Sequence, residues 1–128
     1  MKRVVLVLAV AALALVASAC SSASADQPAP SGSLPPGSVV ISAHNIHFDQ
    51  SQVTAPANAA FALRFDNHDS APHNVAIYTD SSASTALFQG EVFGGDGSKT
   101  YEVPALKPGT HFFRCDVHPD MNGTIVVK

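Results

Sequence analysis

Close to the C-terminus a thiol, an imidazole and a thioether recur at three-residue intervals, in Cys115-Asp-Val-His118-Pro-Asp-Met121. A short apolar run, residues 124–127, follows and ends the chain. A loop that closes onto such a strand presents three side chains toward one point. Thiolate, imidazole and thioether are the donors that suit a single copper ion passing electrons, and that chemistry asks for a second imidazole. The remainder of the chain must supply it.

Upstream stand His44, His47, His68, His73 and His111. His73 is preferred, because Ala71-Pro72-His73-Asn74-Val75 puts it where a loop enters an apolar strand and Pro72 stiffens the approach. His111 shares a strand face with Phe113 and Cys115, but four residues at about 3.3 Å each place it about 13 Å from the thiol, too far to ligate the same metal. His44, His47 and His68 lack a comparable context and read as surface or strand-end residues. Taken singly, a Cys before a turn is ordinarily core, a His solvated and a Met packing. In register after one strand, with a partner His opening another, the set argues for metal.

The elements that must position these groups are short. From residue 38 onward, runs of β-branched and aromatic residues alternate with Asn, Asp, Gly and Pro. Strands are expected at 39–43, 51–54, 60–67, 74–79, 87–92, 99–103, 110–115 and 124–127. Phe61, Leu63 and Phe65 alternate with Ala62 and Arg64, the period of a half-buried strand. No helical period stands out, and residues 79–87 are open between a loop and one helical turn. The expected fold is all-β, an antiparallel Greek-key β-sandwich of about eight strands. Its filling would be Phe61, Leu63, Phe65, Val75, Ile77, Phe112, Phe113, Ile125 and Val127.

The N-terminus sets the compartment. Met1-Lys2-Arg3 is a basic start and Val4 to Val16 an unbroken apolar run, so residues 1–19 read as a secretory signal peptide. A membrane-spanning helix would need roughly 20 apolar residues, and the run breaks first. Ala17-Ser18-Ala19-Cys20 resembles the lipobox of bacterial lipoproteins, which makes Cys20 the expected lipidation site, although Ala17-Ser18-Ala19 and Ala23-Ser24-Ala25 also suit ordinary cleavage. Residues 20–37, of Ser, Ala, Pro and Gly with Asp26 as their one charge, read as a disordered tether, and residues 38–128 as the folded domain. Loss of Lys2 and Arg3 leaves five basic against ten acidic residues, a net charge near −5. That balance offers no nucleic-acid footprint. The expected location is exported, either anchored to the cell envelope by lipid or periplasmic, with no other hold on the membrane and the chain a monomer.

Together the two segments resemble the cupredoxins, small blue-copper proteins such as plastocyanin, pseudoazurin and amicyanin. The short Cys-x2-His-x2-Met loop with Pro119 after His118 is most similar to amicyanin, as is Pro72-His73-Asn74-Val75. Flanking segments Lys107 to Phe113 and Gly123 to Val127 match as well. The resemblance implies that His73, Cys115 and His118 are strong copper ligands and Met121 a weak axial one, and that Asn74 braces the ligand loop from behind. Cys115 would bind as thiolate, releasing a proton.

It further implies one-electron transfer to a redox protein through an apolar patch at the outer edge of His118, formed by Ala71, Pro72, Pro119 and Met121. Asp66, Asp69, Asp116 and Asp120 would rim that patch and favour a basic cytochrome or oxidase as partner, with association weakening as salt rises. Copper storage or delivery in the envelope is the alternative, although Cys115 and Met121 are the only sulfur donors of the domain. An enzyme is not expected: the loop lacks the second Cys of a binuclear copper centre, and no Ser-His-Asp motif accompanies it.

Overall fold

The computed structural model describes residues 33–128. The expected signal peptide, Cys20 and most of the tether lie outside the described residues. Among the described residues every regular element is a strand, and no helix is long and apolar enough to cross a membrane.

Nine strands follow in order: β1 (Val39–His44), β2 (His47–Phe48), β3 (Gln52–Ala55), β4 (Phe61–Asn67), β5 (Ala76–Tyr78), β6 (Ala86–Gln89), β7 (Gly97–Val103), β8 (Gly109–Arg114) and β9 (Asn122–Val127). They form a four-stranded sheet, β2-β1-β4-β7, and a five-stranded sheet, β3-β9-β8-β5-β6. The two-sheet sandwich expected from the alternation is present. Two ladders, β1 with β4 and β3 with β9, run parallel, because β1 and β3 each reach their partner strand through a long connection rather than a hairpin.

Alternation decides which residues go inside. Val39, Ile41 and Ala43 of β1 face inward beside Leu63 and Phe65 of β4, while residues between them face out. Phe48 from β2 meets Phe65 edge-on at 6.2 Å and Phe113 of the opposite sheet at 5.3 Å, so one ring ties both layers. Burying each such ring stabilises the fold by about 1.5–3 kcal/mol. Phe112, expected in the core, is only half-buried, since it alternates with Phe113 and points to the other face. Val103 and Leu106 fill the interior as well. Beneath Phe113 lies Gly123, where an added Cβ would stand 2.5 Å from the ring.

The extra strand, β2, comes from a tight hairpin. Asn45 and Ile46 carry positive φ values of 52° and 61°, so a two-residue turn returns the chain with His44 opposite His47. Residues 79–85 form a loop without a helix, closed by the Thr79 N–H donating to the Thr85 carbonyl and by the Asp80 carboxylate accepting from the Ser82 N–H.

Candidate metal centre

Strands β8 and β9 leave residues 115–121 as the loop between them. The loop is closed on itself: Cys115 N–H donates to the Met121 carbonyl at 2.9 Å, and Met121 N–H to the His118 carbonyl at 2.9 Å. Asn122 pins its far side, donating to the carbonyls of Pro119 and Asp120. Cys115 and Met121 are thereby buried in the core, while Val117, Pro119 and Asp120 stay exposed.

The facing segment is held by a bridge between His73 and Phe93, each N–H donating to the other's carbonyl. This pairing turns the chain so that the His73 ring points inward, fully buried. His73, Cys115 and His118 consequently meet, their donor atoms within 4.8 Å of one another. His73 Nδ1 is 3.1 Å from His118 Nδ1, and Cys115 Sγ is 3.8 Å and 3.9 Å from those two nitrogens. A point about 2.1 Å from all three atoms follows from these separations, close to the length of a metal–imidazole bond. Met121 is 2% exposed and its backbone bonds to both Cys115 and His118.

The proton on His73 is fixed by chemistry. Its Nε2 lies 2.9 Å from Asp69 Oδ2; an ionised carboxylate only accepts, so Nε2 carries the hydrogen and Nδ1 turns a bare lone pair toward Cys115 and His118. Asp69 also accepts from the backbone N–H groups of Asn45 and Ile46 at 2.7 Å and 2.9 Å. Those bonds, with Ile46 the strongest, outweigh desolvation and hold the carboxyl below its usual pKa. One side chain thus caps the strained hairpin tip and orients the buried imidazole. An aromatic contact at 4.8 Å sets His118 against His73 at 62°.

Asn74, the residue expected to brace the loop, hydrogen-bonds to Asp116, the residue after Cys115. Its Oδ1 accepts from Asp116 N–H at 2.8 Å, and its Nδ2 donates to the Gly90 carbonyl and to Asp116 Oδ2. Asp116 is itself a hub, accepting from Tyr78 Oη at 2.6 Å, from Gln89 Nε2 and from Arg114 Nε. Burial works to raise its pKa, but the bonds led by Tyr78 prevail and the carboxyl titrates low.

The four aspartates expected as a docking rim therefore differ. Asp66 pairs with Arg64 at 2.7 Å and accepts from Ser98, Asp69 and Asp116 face inward, and Asp120 alone is exposed. Met121, expected in the apolar patch, is buried. Sequence reasoning missed Asp69, Tyr78 and Phe93 as supports. The carboxylate four residues before His73 was the available signal for the first, and Tyr78 and Phe93 carried none.

The family model for the cupredoxin-like domain matches residues 6–127. Among solved structures, the chain resembles auracyanin from the photosynthetic bacterium Roseiflexus castenholzii with a TM-score of 0.64 at 21% identity, over 72% of this chain and 97% of that one. It also resembles auracyanin A, a blue copper protein of Chloroflexus aurantiacus, with a TM-score of 0.61 at 18% identity, over 71% and 98%. Amicyanin from Paracoccus versutus aligns with a TM-score of 0.56 at 25% identity, over 74% and 85%. No curated protein matches the chain. Matched by the family model over nearly its whole length, this chain belongs to the cupredoxin-like family.

Proposed function

We infer that the chain is a one-electron carrier whose single copper ion would be held by His73, Cys115 and His118, with the Met121 thioether as a weaker fourth donor. The observation that carries this reading is the common centre of the three donor atoms, about 2.1 Å from each, next to an imidazole whose tautomer Asp69 fixes. When bound, copper takes up and releases one electron between its cuprous and cupric states. The chain's own contribution is to keep the donors still. His73 is tied by Asp69, Cys115 by the Met121 carbonyl, and the loop by Asn74 and Asp116. Burial of Cys115 and His73 keeps water from the thiolate, and His118, half-buried, is the ring nearest solvent.

This geometry favours electron transfer over storage or delivery. A carrier needs donors that hold their places in both oxidation states, whereas delivery needs ligands that exchange readily. The named relatives, auracyanin A described as a blue copper protein among them, support the same reading. The leader and Cys20 support an exported protein, anchored by lipid or periplasmic.

A redox protein is the proposed partner, docking over the exposed Pro72, Val117 and Pro119 beside His118. Arg64 and Arg114 offset the charges of Asp66 and Asp116, so the acidic field at this end rests on Asp69, whose carboxyl is held below its usual pKa, and on the exposed Asp120. A basic cytochrome suits that field, and its electron exchange should slow as salt rises.

Adding Cu(II) to the full chain tests the reading. An intense blue thiolate-to-copper band is expected, and none in Cys115→Ser. Persistence of the band in that variant would overturn the assignment.

A further inference from the structure

Four of the six histidines of the chain play no part in the site above, and the fold lines up three of them, His44, His47 and His68. His47 lies opposite His44 across the two-residue hairpin. Strands β1 and β4 pair in parallel through Ala43 and Asn67, and the His68 N–H donating to the Ala43 carbonyl carries the ladder one step further, setting His68 beside His44. Beyond His68 the antiparallel register of β4 with β7 brings Asp96 alongside. Each member of the row belongs to the outward face, since Ala43, Phe48, Asn67 and Gly97 alternate with them toward the core.

We propose that His44, His47 and His68 form a second metal site, on the protein surface, for a borderline divalent cation such as Zn2+. The His44 and His68 rings stand 5.2 Å apart at 31°, close to the 4.8 Å between His73 and His118. Two of the three rings already have the donor nitrogen selected. His47 Nδ1 lies 2.8 Å from the Asn45 carbonyl and His68 Nδ1 3.2 Å from Asp96 Oδ1. Both oxygens only accept, so both Nδ1 atoms carry hydrogen and both Nε2 lone pairs are free. An imidazole whose other nitrogen is held by a carbonyl or carboxylate is the usual arrangement of a metal-bound histidine. The third ring, His44, has no hydrogen-bond partner among the described residues and stands between the other two.

All three side chains are exposed, so bringing their free nitrogens onto one cation would take rotation about exposed side-chain bonds, a motion of nanoseconds or less. The site is open and labile where the buried one is closed, and binding on the order of micromolar is expected. It is independent of the copper reading: the row contains no sulfur and shares no ligand with the loop.

The probe is Zn2+ alone, titrated calorimetrically into the copper-loaded full chain. One equivalent should bind. His44→Gln and His68→Gln should each weaken it at least tenfold and His47→Gln several-fold, while His111→Gln leaves it unchanged. Imidazole resonances of His44, His47 and His68 should shift in the same titration, with those of His73 and His118 still. Non-saturable uptake, or a saturable step indifferent to all three substitutions, would overturn the proposal.

Discussion

Two pairs of imidazoles stand at nearly the same separation in this molecule, 4.8 Å for His73 with His118 and 5.2 Å for His44 with His68. In the first pair His73 is buried and His118 half-buried, with a thiol against both, and the pair is backed by Asp69, Asn74 and Asp116. The second is exposed on a sheet surface, with one carboxylate, Asp96, itself 83% exposed, behind it. Spacing alone therefore does not make a rigid site. What separates the two is the layer behind the donors, which fixes protons and backbone in one pair and leaves the other free to turn.

Removing that layer should be the largest effect. Asn74→Ala deletes the bonds to Gly90 and Asp116, and copper affinity should fall by about 10–100-fold, read by competition with a chelator. Zinc affinity of the exposed row should not move. An equal loss at both places would mean that Asn74 supports the whole fold rather than the loop. Next in size is Tyr78→Phe, which strips Asp116 of its shortest hydrogen bond, 2.6 Å. Denaturant unfolding of the metal-free chain should show a loss of about 1.5 kcal/mol, the range of a bond to a charged acceptor. No change would show that Gln89 and Arg114 suffice to hold the carboxylate.

How much of this was legible in the sequence follows the same division. Cys115, His118, Met121 and His73 announce themselves as candidates because donor types and spacing are local, and Pro72 and Asn74 sit next to His73 in the chain. Strand alternation at Phe61, Leu63 and Phe65 is likewise local and marks the sandwich. Asp69 and Asp116 looked like surface charges because their partners, Ile46 and Tyr78, lie far along the chain. The histidine row was invisible for the same reason: His44 and His68 become neighbours only through the parallel β1–β4 register. Hairpin β1–β2 was missed because Ile46 is a poor candidate for a left-handed turn position.

That misfit gives a smaller prediction about the exposed pair. Ile46 holds φ at 61°, a region that costs a β-branched residue about 1–2 kcal/mol. Glycine adopts it freely but gives up more chain entropy on folding, about 0.5–1 kcal/mol. Ile46→Gly should therefore stabilise the chain by about 0.5–1 kcal/mol in thermal unfolding, with zinc affinity of the row kept because Asp69 still caps the turn. A destabilised variant would show that the half-exposed Ile46 side chain contributes packing that outweighs the strain.

The smallest effect lies at Asp66, on the same outward face of β4 as His68. Burial raises its pKa, but the bonds from Ser98 and Arg64 prevail and hold it below the ordinary value. Because the folded pKa is the lower one, its contribution is complete above the unfolded carboxyl range, near pH 4, and is lost as pH falls through the folded value. Metal-free wild type should thus lose stability more steeply below about pH 4 than Asp66→Asn, which has no carboxylate to protonate there. Parallel pH profiles for the two proteins would place the acid sensitivity in the inward-facing Asp69 and Asp116 instead, and so in the layer that distinguishes the buried imidazoles from the exposed ones.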